Sequence, residues 1–289
     1  MPVHPLISTA DLEARLGEEN LRIFDTTIYL RHREDGFGYI PESGRAEWES
    51  GHIPGAGFLD VVGELSDPDS KVPFTMPPAQ AFADIMANHG VSDDSFVVLY
   101  NNGIPMWSTR VWWMLRSIGF DRVVVLNGGL AKWKKESRPM SSDAPGHVRG
   151  ALTARARPEM WADKADMLAQ IEHSSAVCLN ALSPEVYSGE KNQYGRPGHL
   201  PGTFNVFYGH LLDSDSGAFL DAAALKPLFE QSGALSAERV ITYCGGGISA
   251  TMDCLALEVC GQRNVAVYDG SMSEWVKDPE LPLTLGAEP

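Results

Sequence analysis

The chain contains the same short motif twice, once in each half. Gly-His-Ile-Pro-Gly at residues 51–55 recurs as Gly-His-Leu-Pro-Gly at residues 198–202, an offset of 147 residues (198 minus 51). A second pair follows in the same order, with Val-Leu-Asn-Gly-Gly at residues 125–129 and Val-Tyr-Asp-Gly-Ser at residues 267–271. Solenoid repeats span only about 20–50 residues, so an offset of this size indicates duplication of a whole domain. The sequence therefore predicts two domains of one fold.

The hydrophobic pattern within each half predicts an α/β fold. Short apolar runs rich in β-branched residues alternate with stretches of helical periodicity, for example residues 79–89, 106–118 and 251–259. Such alternation is typical of a mostly parallel sheet with helices on both faces.

The domain boundary is predicted from a change in composition. Between Arg138 and Pro158 the apolar periodicity gives way to proline, serine, aspartate and glycine, which is typical of a linker. We therefore expect a first domain at residues 1–138, a linker at 139–158 and a second domain at 159–289.

Charge and composition exclude several classes of partner. The net charge of -15 opposes binding to nucleic acid or to an anionic membrane surface, although a small anion can still bind in a local cluster of N–H groups. No segment approaches the ~20 apolar residues of a membrane helix, and the N-terminus lacks the basic and apolar regions of a signal peptide. We expect a cytoplasmic protein.

The cysteines indicate reduced thiols without a metal site. The chain has four, Cys178, Cys244, Cys254 and Cys260, which is too few for a disulfide scaffold in a chain of 289 residues. No pair of cysteines or histidines has zinc-ligand spacing, and no motif requires a metal or an organic cofactor.

Cys244 occupies the most reactive setting in the sequence. It begins Cys-Gly-Gly-Gly-Ile-Ser-Ala at residues 244–250, between an apolar run at 240–243 and a helical stretch. Three glycines let the backbone curl with its N–H groups inward, and the helix dipole adds positive potential, so the loop favours an anion. We predict that Cys244 is a nucleophile and that the loop residues bind substrate: Gly245, Gly246, Gly247, Ile248 and Ser249. A phosphate-binding turn and a glycine-rich turn with an incidental buried cysteine are the alternatives.

These motifs, in this order, resemble the tandem-domain rhodanese sulfurtransferases of the thiosulfate or 3-mercaptopyruvate type. The resemblance covers nearly the whole chain: two Gly-His-Ile/Leu-Pro-Gly motifs, a cysteine loop in the second half only, and a closing Tyr-Asp-Gly-Ser before Trp275. It implies two rhodanese-like domains, the second catalytic and the first with Asn101 in place of the cysteine. It also implies that the thiolate takes sulfane sulfur from a small anionic donor, holds it as a persulfide on Cys244, and passes it to a thiol or cyanide.

The loop departs from both types of relative. The thiosulfate-using members that this chain resembles have Cys-Arg-Lys-Gly in the loop, but this chain has Gly245 and Gly246 in place of the two cations. The mercaptopyruvate-using members that this chain resembles have Cys-Gly-Ser-Gly in the loop, and their serine is linked to a histidine and an aspartate in a relay. This chain has Gly246 at the position of the serine and Phe74 at the position of the histidine. Asn180 and Leu182 also replace both charges of an Asp-x-Arg sequence. Either donor remains open, although the loop is closer to the mercaptopyruvate type.

Arg196 is the predicted substitute for these cations. It lies just before the second Gly-His-Leu-Pro-Gly. The mercaptopyruvate-using relatives that this chain resembles have an arginine at the same position, and there it faces the substrate. The alternative is a surface arginine paired with a carboxylate. We expect His52 and His199 to serve backbone hydrogen bonds, and Ser249 to cap the following helix.

Two other functions are weighed against the enzyme. A carrier or sensor that receives persulfide from a partner would not require the missing substrate cations. A cysteine phosphatase would require an arginine at the end of the loop to hold phosphate, and the loop from Cys244 reaches Ala250 without one.

Overall fold

The structure, a computed structural model, describes residues 3–34 and 36–289. Within these ranges, the first half contains seven strands: β1 (Leu6–Ile7), β2 (Leu21–Asp25), β3 (Ile28–His32), β4 (Tyr39–Ser43), β5 (Ala56–Phe58), β6 (Phe96–Tyr100) and β7 (Val123–Leu126). Its helices are α1 (Thr9–Arg15), α2 (Arg45–Ser50), α3 (Ala79–Asn88), α4 (Met106–Ser117) and α5 (Gly129–Lys135).

The second half contains five strands: β8 (Trp161–Ala162), β9 (Val177–Asn180), β10 (Thr203–Asn205), β11 (Val240–Tyr243) and β12 (Val265–Tyr268). Its α-helices are α6 (Lys164–His173), α7 (Pro184–Ser188), α8 (Ala222–Leu225), α9 (Ala250–Val259) and α10 (Ser271–Trp275). The three helices predicted from periodicity correspond to α3, α4 and α9, and those predictions are confirmed to within a residue or so.

Two parallel five-stranded sheets have the same strand order. The first is β1-β7-β6-β2-β5, and the second, written from the matching edge, is β8-β12-β11-β9-β10. Each strand of one sheet thus has a counterpart at the same position in the other, and the predicted duplication of an α/β fold is confirmed. The middle strands are β6 and β11, and they are followed directly by Asn101 and Cys244.

Both faces of the first sheet are covered, as the pattern predicts. Alternate residues of β6 face opposite sides: Val97 and Leu99 pack in one apolar cluster with α4, whereas Val98 and Tyr100 pack in another with Trp133. Strands buried on both faces are continuously apolar, which explains why β6 and β11 have no polar alternation.

The repeated Gly-His motif has the same structural role in each half. His52 and His199 are fully buried, and their Nδ1 atoms hydrogen-bond to the carbonyls of Trp48 (2.7 Å) and Tyr187 (2.9 Å). Each imidazole also stacks on the ring of that same aromatic residue. The prediction that these histidines serve structure is confirmed.

The segment between the two sheets lies along the first domain. It forms no helix, and its backbone amides bond to first-domain carbonyls, as in Gly150 N to Ala87 O (2.8 Å) and Arg155 N to Ile118 O (2.7 Å). The division at residues 138 and 158 stays a prediction, but a linker held in this way restricts how far the domains can move apart.

The two domains pack through equivalent helices. Helices α4 and α9, which follow the middle strand of each sheet, meet through the hydroxyls of Thr109 and Thr251 (2.8 Å) and an ion pair between Arg116 and Glu258. The largest apolar cluster continues from Trp107 on α4 to Leu255 on α9. The domains therefore share a core, which positions the N-terminal ends of both helices beside one cleft.

One element escaped prediction. Strands β3 and β4 form an antiparallel hairpin that projects from the first domain, pairing Ile28 with Ser43 through His32 with Tyr39. The amide of Gly38, at its tip, donates to the carbonyl of Gln193 in the second domain (2.9 Å). The hairpin thus extends across the cleft between the domains.

Candidate active site

Cys244 lies at the bottom of a cleft of about 620 Å³ between the two domains. Its side chain is only 1% exposed, and it follows the middle strand of the second sheet. Ligands of open parallel sheets bind outside the carboxyl ends of the strands, which is where this cysteine lies. The lining from the second domain consists of Leu182, Tyr194, Tyr208, Cys244, Gly245, Gly246, Ile248, Ser249, Ser273, Val276 and Lys277. The lining from the first domain consists of Leu30, Arg33, Phe37, Gly38, Tyr39, Pro41, Val62, Lys71, Pro73, Phe74, Met106 and Trp107.

Ser271 holds the cysteine loop in its curled shape. Its Oγ accepts from the amides of Cys244 and Gly247, both at 3.1 Å, and donates to the carbonyl of Tyr268 (2.8 Å). Ser271 itself has a positive φ of 48°, an uncommon conformation for a residue with a side chain. One hydroxyl therefore fixes both ends of the turn.

Other loop amides are left for a ligand. Within the described part of the chain, four of them donate to no protein acceptor: those of Gly245, Gly246, Ile248 and Ser249. Helix α9 begins directly after them and directs the positive end of its dipole toward the loop. An anion at Cys244 thus has donors that no protein group satisfies.

Gly247 is required by its surroundings. Its φ is +74°, and an added Cβ would come within 2.7 Å of Asp269 Oδ1. Gly247 does not line the cleft, so the expectation that it contacts substrate is replaced by a role in shaping the loop. Ser249 also differs from expectation: it occupies the N-cap position of α9 without a capping hydrogen bond from its side chain, and it lines the cleft.

Two tyrosines are placed beside the cysteine. Burial raises the pKa of Tyr194 well above its ordinary value, and negative charge at Cys244 raises it further. Burial likewise raises the pKa of Tyr208, with Tyr39 and Cys244 as further causes. Both phenols are therefore neutral at physiological pH, and both side chains line the cleft, with Tyr194 Oη beside Gly245.

We predict different effects for alanine at the first two loop glycines. A Cβ on Gly245 would lie 1.9 Å from Tyr194 Oη, whereas one on Gly246 meets nothing closer than 3.4 Å, at Phe74. Gly245→Ala must displace Tyr194 or the loop, so we expect kcat/KM for sulfur transfer to fall by about tenfold or more. Gly246→Ala is the matched control and should stay within about threefold of wild type. Equal kinetics for the two variants would contradict this geometry.

Phe74 crosses from the first domain to cover the loop. It has a positive φ of 64°, and it is held by an edge contact with Trp107 (5.4 Å between ring centroids) and by a hydrogen bond from Arg110 Nη2 to its carbonyl (2.7 Å). Strain of this kind persists only where the surroundings impose it. Phe74 faces Gly246, so these two positions, which in this sequence carry neither a serine nor a histidine, form an apolar contact instead of a relay.

A buried ion pair connects this wall to the cysteine loop. Arg110 in α4 is 1% exposed and lies 2.6 Å from Asp269, which follows β12. Arg110 also donates to the carbonyl of Gly247 (3.2 Å), while Asp269 Oδ2 accepts from the amide of Met76 (2.9 Å). The shape of the loop thus depends on residues of both domains.

Arg196 lies elsewhere. Its guanidinium donates to the carbonyls of Asp278 and Leu281, both at 2.7 Å, and it is not among the residues that line the cleft. This corrects the expectation that Arg196 contacts substrate, because its donors are used to hold the C-terminal segment. The cations that do line the cleft are Arg33, Lys71 and Lys277.

The other cysteines have different surroundings. Burial raises the pKa of Cys178 to about 12 and raises those of Cys254 and Cys260. All four cysteines are free. In the first domain, Asn101 stands at the position of Cys244 and uses its side chain internally, donating to Ile104 O (2.6 Å) and accepting from Ser108 (3.0 Å).

Two features are absent from the described residues. Residues 3–34 and 36–289 contain no group of three or more histidine, cysteine, aspartate or glutamate side chains that could hold a metal ion. Within the same ranges, no helix has the length and apolar character needed to cross a membrane.

Comparison with known proteins gives one consistent result. The family model for the rhodanese-like domain matches residues 8–136 and 186–278. The 3-mercaptopyruvate sulfurtransferase of Escherichia coli K12 is 32% identical over 275 residues, covering 94% of this chain and 95% of its own. The thiosulfate sulfurtransferase of Rattus norvegicus is 30% identical over 294 residues, covering 98% of each chain.

Solved structures agree. The crystal structure of SseA from Escherichia coli matches with a TM-score of 0.82 at 28% identity, covering 93% of this chain and 99% of that one. The structure of Tum1 from Saccharomyces cerevisiae matches with a TM-score of 0.86 at 24% identity, covering both chains completely, and supports the fold.

Proposed function

This chain belongs to the rhodanese family and is a sulfurtransferase of two tandem rhodanese-like domains. From that premise we propose that Cys244 carries the transferred sulfur. The observation that carries the proposal is the position of this thiol at the bottom of the interdomain cleft, beside four loop amides without protein acceptors. Such donors stabilise a thiolate and a persulfide equally, since both are anions at nearly the same place.

The first half-reaction loads the cysteine. The Cys244 thiolate attacks the sulfane sulfur of the donor, an S–S bond forms at Sγ, and the bond between that sulfur and the rest of the donor breaks. The donor leaves with its electron pair, as sulfite from thiosulfate or as the enolate of pyruvate from 3-mercaptopyruvate. The amides of Gly245 and Gly246 and the dipole of α9 stabilise the negative charge that stays on the enzyme.

The second half-reaction unloads it. A nucleophilic acceptor, a thiolate or cyanide, attacks the outer sulfur of the persulfide; the new bond to sulfur forms as the Sγ–S bond breaks, and Cys244 leaves as a thiolate. The neutral hydroxyls of Tyr194 and Tyr208 lie in the same cleft and are suited to donate hydrogen bonds to charged sulfur.

We propose 3-mercaptopyruvate as the preferred small donor. Thiosulfate carries a sulfonate end whose charge requires cations near the reacting sulfur, and this loop has Gly245 and Gly246 at those positions. Leu182 likewise lines the cleft where an arginine would bind a second oxyanion. The cysteine loop therefore lacks the charge-assisted hydrogen bonds that a sulfonate needs most, because the cations that line the cleft, Arg33, Lys71 and Lys277, come from outside it.

A donor comparison tests this choice. With cyanide as acceptor and thiocyanate as readout, we expect kcat/KM for 3-mercaptopyruvate to exceed that for thiosulfate by about tenfold or more, because each charge-assisted hydrogen bond contributes ~1.5–3 kcal/mol. Gly246→Lys provides the matched gain-of-charge variant, and it should raise the thiosulfate rate relative to the other donor. A wild-type preference for thiosulfate would contradict the donor assignment while leaving the persulfide mechanism intact.

The free thiols and the net charge of the protein indicate its compartment and its partners. A nucleophilic thiol and three further free cysteines suit a reducing compartment, and we place the protein in the cytoplasm. The net charge of -15 opposes nucleic acid and anionic membrane surfaces as partners, so the expected partners are the small donor and the acceptor.

A further inference from the structure

We propose, resting on the function proposed above, that the sulfur acceptor of this cleft is an amphipathic thiol, with an aromatic or branched apolar body and an anionic group remote from its sulfur. Three features of the cleft support the inference. The buried cysteine lies at its bottom, apolar side chains form its walls, and basic side chains lie at its mouth.

The walls are apolar and come from both domains. They include Leu30, Val62, Phe74, Trp107, Leu182 and Ile248. Concave apolar surface that faces water is stabilised when an apolar ligand covers it, and aromatic walls favour a flat or branched ligand body. A strongly hydrated acceptor such as cyanide uses none of this surface.

The mouth is basic in an otherwise acidic protein. Among the described residues, no aspartate or glutamate lines the cleft, whereas Arg33, Lys71 and Lys277 do, in a chain of net charge -15. Lys71 and Lys277 are exposed to solvent while Cys244 is 1% exposed, which places the cations at the outer end. Lys277 Nζ donates to the backbone carbonyl of Lys71 (2.8 Å), so these two residues meet where the domains pack together. An anionic group that reaches them must lie far from the reacting sulfur.

The size of the cleft indicates the acceptor rather than the donor. Both half-reactions use Cys244, so donor and acceptor occupy this one space in turn. A donor such as 3-mercaptopyruvate fills a small part of a cleft of about 620 Å³, which lies within the ~300–1,000 Å³ typical of sites for much larger ligands. We therefore infer that the volume which the donor leaves empty accommodates a larger acceptor.

The transfer balances without a further reagent. The acceptor thiolate bonds to the outer sulfur of the Cys244 persulfide, the bond between that sulfur and Sγ breaks, and Cys244 keeps the electron pair as a thiolate. The product is the persulfide of the amphipathic thiol, and the class of reaction that consumes it must take sulfane sulfur from an organic persulfide.

Single-turnover discharge tests the inference. The full chain is loaded on Cys244 with inorganic polysulfide, freed of excess reagent, and mixed with one of three alkyl thiols. These are 4-(mercaptomethyl)benzoate, phenylmethanethiol, which lacks the carboxylate, and 3-mercaptopropanoate, which lacks the ring. We expect 4-(mercaptomethyl)benzoate to discharge the persulfide with a second-order rate constant about tenfold above that of either partial analogue. A factor of about ten is expected because covering an apolar ring, or forming two partly exposed ion pairs, stabilises the complex by about that much.

Two variants separate charge from general reactivity. Lys71→Gln combined with Lys277→Gln should lower the ratio of the rate constants for 4-(mercaptomethyl)benzoate and phenylmethanethiol severalfold toward one, whereas Lys134→Gln, at an exposed lysine on α5, should keep the wild-type ratio. Equal rates for the three thiols on loaded wild-type protein would overturn this inference alone. Failure of Cys244 to accept sulfur even from polysulfide would overturn the proposed function as well.

Discussion

Cys244→Ser is expected to abolish sulfur transfer while leaving the fold intact. Serine has no soft, polarisable sulfur and is not ionised at neutral pH, so it can neither attack the donor nor hold a persulfide. We expect thiocyanate formation to fall at least ~1,000-fold, to the rate without enzyme. The measurement is the cyanide assay with 3-mercaptopyruvate and with thiosulfate, at a fixed concentration of folded protein.

The control for this substitution is another cysteine of the same domain. Cys260 is the most exposed of the remaining three, and burial raises its pKa, so Cys260→Ser should keep near wild-type activity. Because serine nearly matches cysteine in volume and its buried hydroxyl has loop amides without protein acceptors beside it, the urea midpoint of Cys244→Ser should stay close to that of wild type. Full activity in Cys244→Ser, or equal loss in Cys260→Ser, would show that the sulfur is carried elsewhere.

Arg110→Met is expected to cause the largest loss of stability. It removes the cation from a buried pair and leaves the carboxylate of Asp269, whose side chain is 16% exposed, without its charge partner at the domain interface. Removing one member of such a pair costs about 3–5 kcal/mol in the free energy of unfolding. The carbonyls of Phe74 and Gly247 also lose their donor, so we expect transfer activity to fall together with stability.

Two further variants make the result specific. Arg149→Met breaks an ion pair with Asp84 whose side chains are 61% and 53% exposed, so urea denaturation should show a change of at most ~1 kcal/mol. Adding Asp269→Asn to Arg110→Met should restore part of the lost stability, because it removes the unpaired charge. Similar losses from Arg110→Met and Arg149→Met would show that the buried pair does not stabilise the domain interface.

The fold is predictable because its signals are local and repeated. The helices α3, α4 and α9 follow from 3.6-residue periodicity over one segment each, and the doubling of the sheet follows from motifs in the same order in both halves. The nucleophile is predictable for a similar reason, since Cys244, its glycines and the start of α9 are contiguous in the sequence.

The surroundings of the nucleophile depend on contacts between distant residues. Phe74 and Arg110 come from the other domain, and Tyr194 lies fifty residues before the loop that it touches (244 minus 194). The sequence indicates Gly245 for its backbone freedom, whereas the structure shows that it lacks space, because an added Cβ would meet Tyr194. Ser271 belongs to the repeated motif at residues 267–271, but the hydrogen bonds of its hydroxyl depend on a turn that periodicity does not describe.

Arg196 shows how a sequence position can mislead. It stands where a substrate-facing arginine was expected, and its side chain is long enough to point in several directions. The carbonyls of Asp278 and Leu281 take its donors instead. Lysines at the mouth gave no signal in sequence, because a lysine in a loop resembles any other exposed lysine.

The most direct test of the account is the mass of the Cys244 peptide after one turnover with donor and no acceptor. We predict an addition of one sulfur atom, about 32 Da, on the peptide that contains Cys244, and its loss when cyanide or a thiol is added. The peptides that contain Cys178, Cys254 and Cys260 should be unchanged. Turnover of donor with no sulfur on Cys244, or with sulfur on another cysteine, would contradict the central claim.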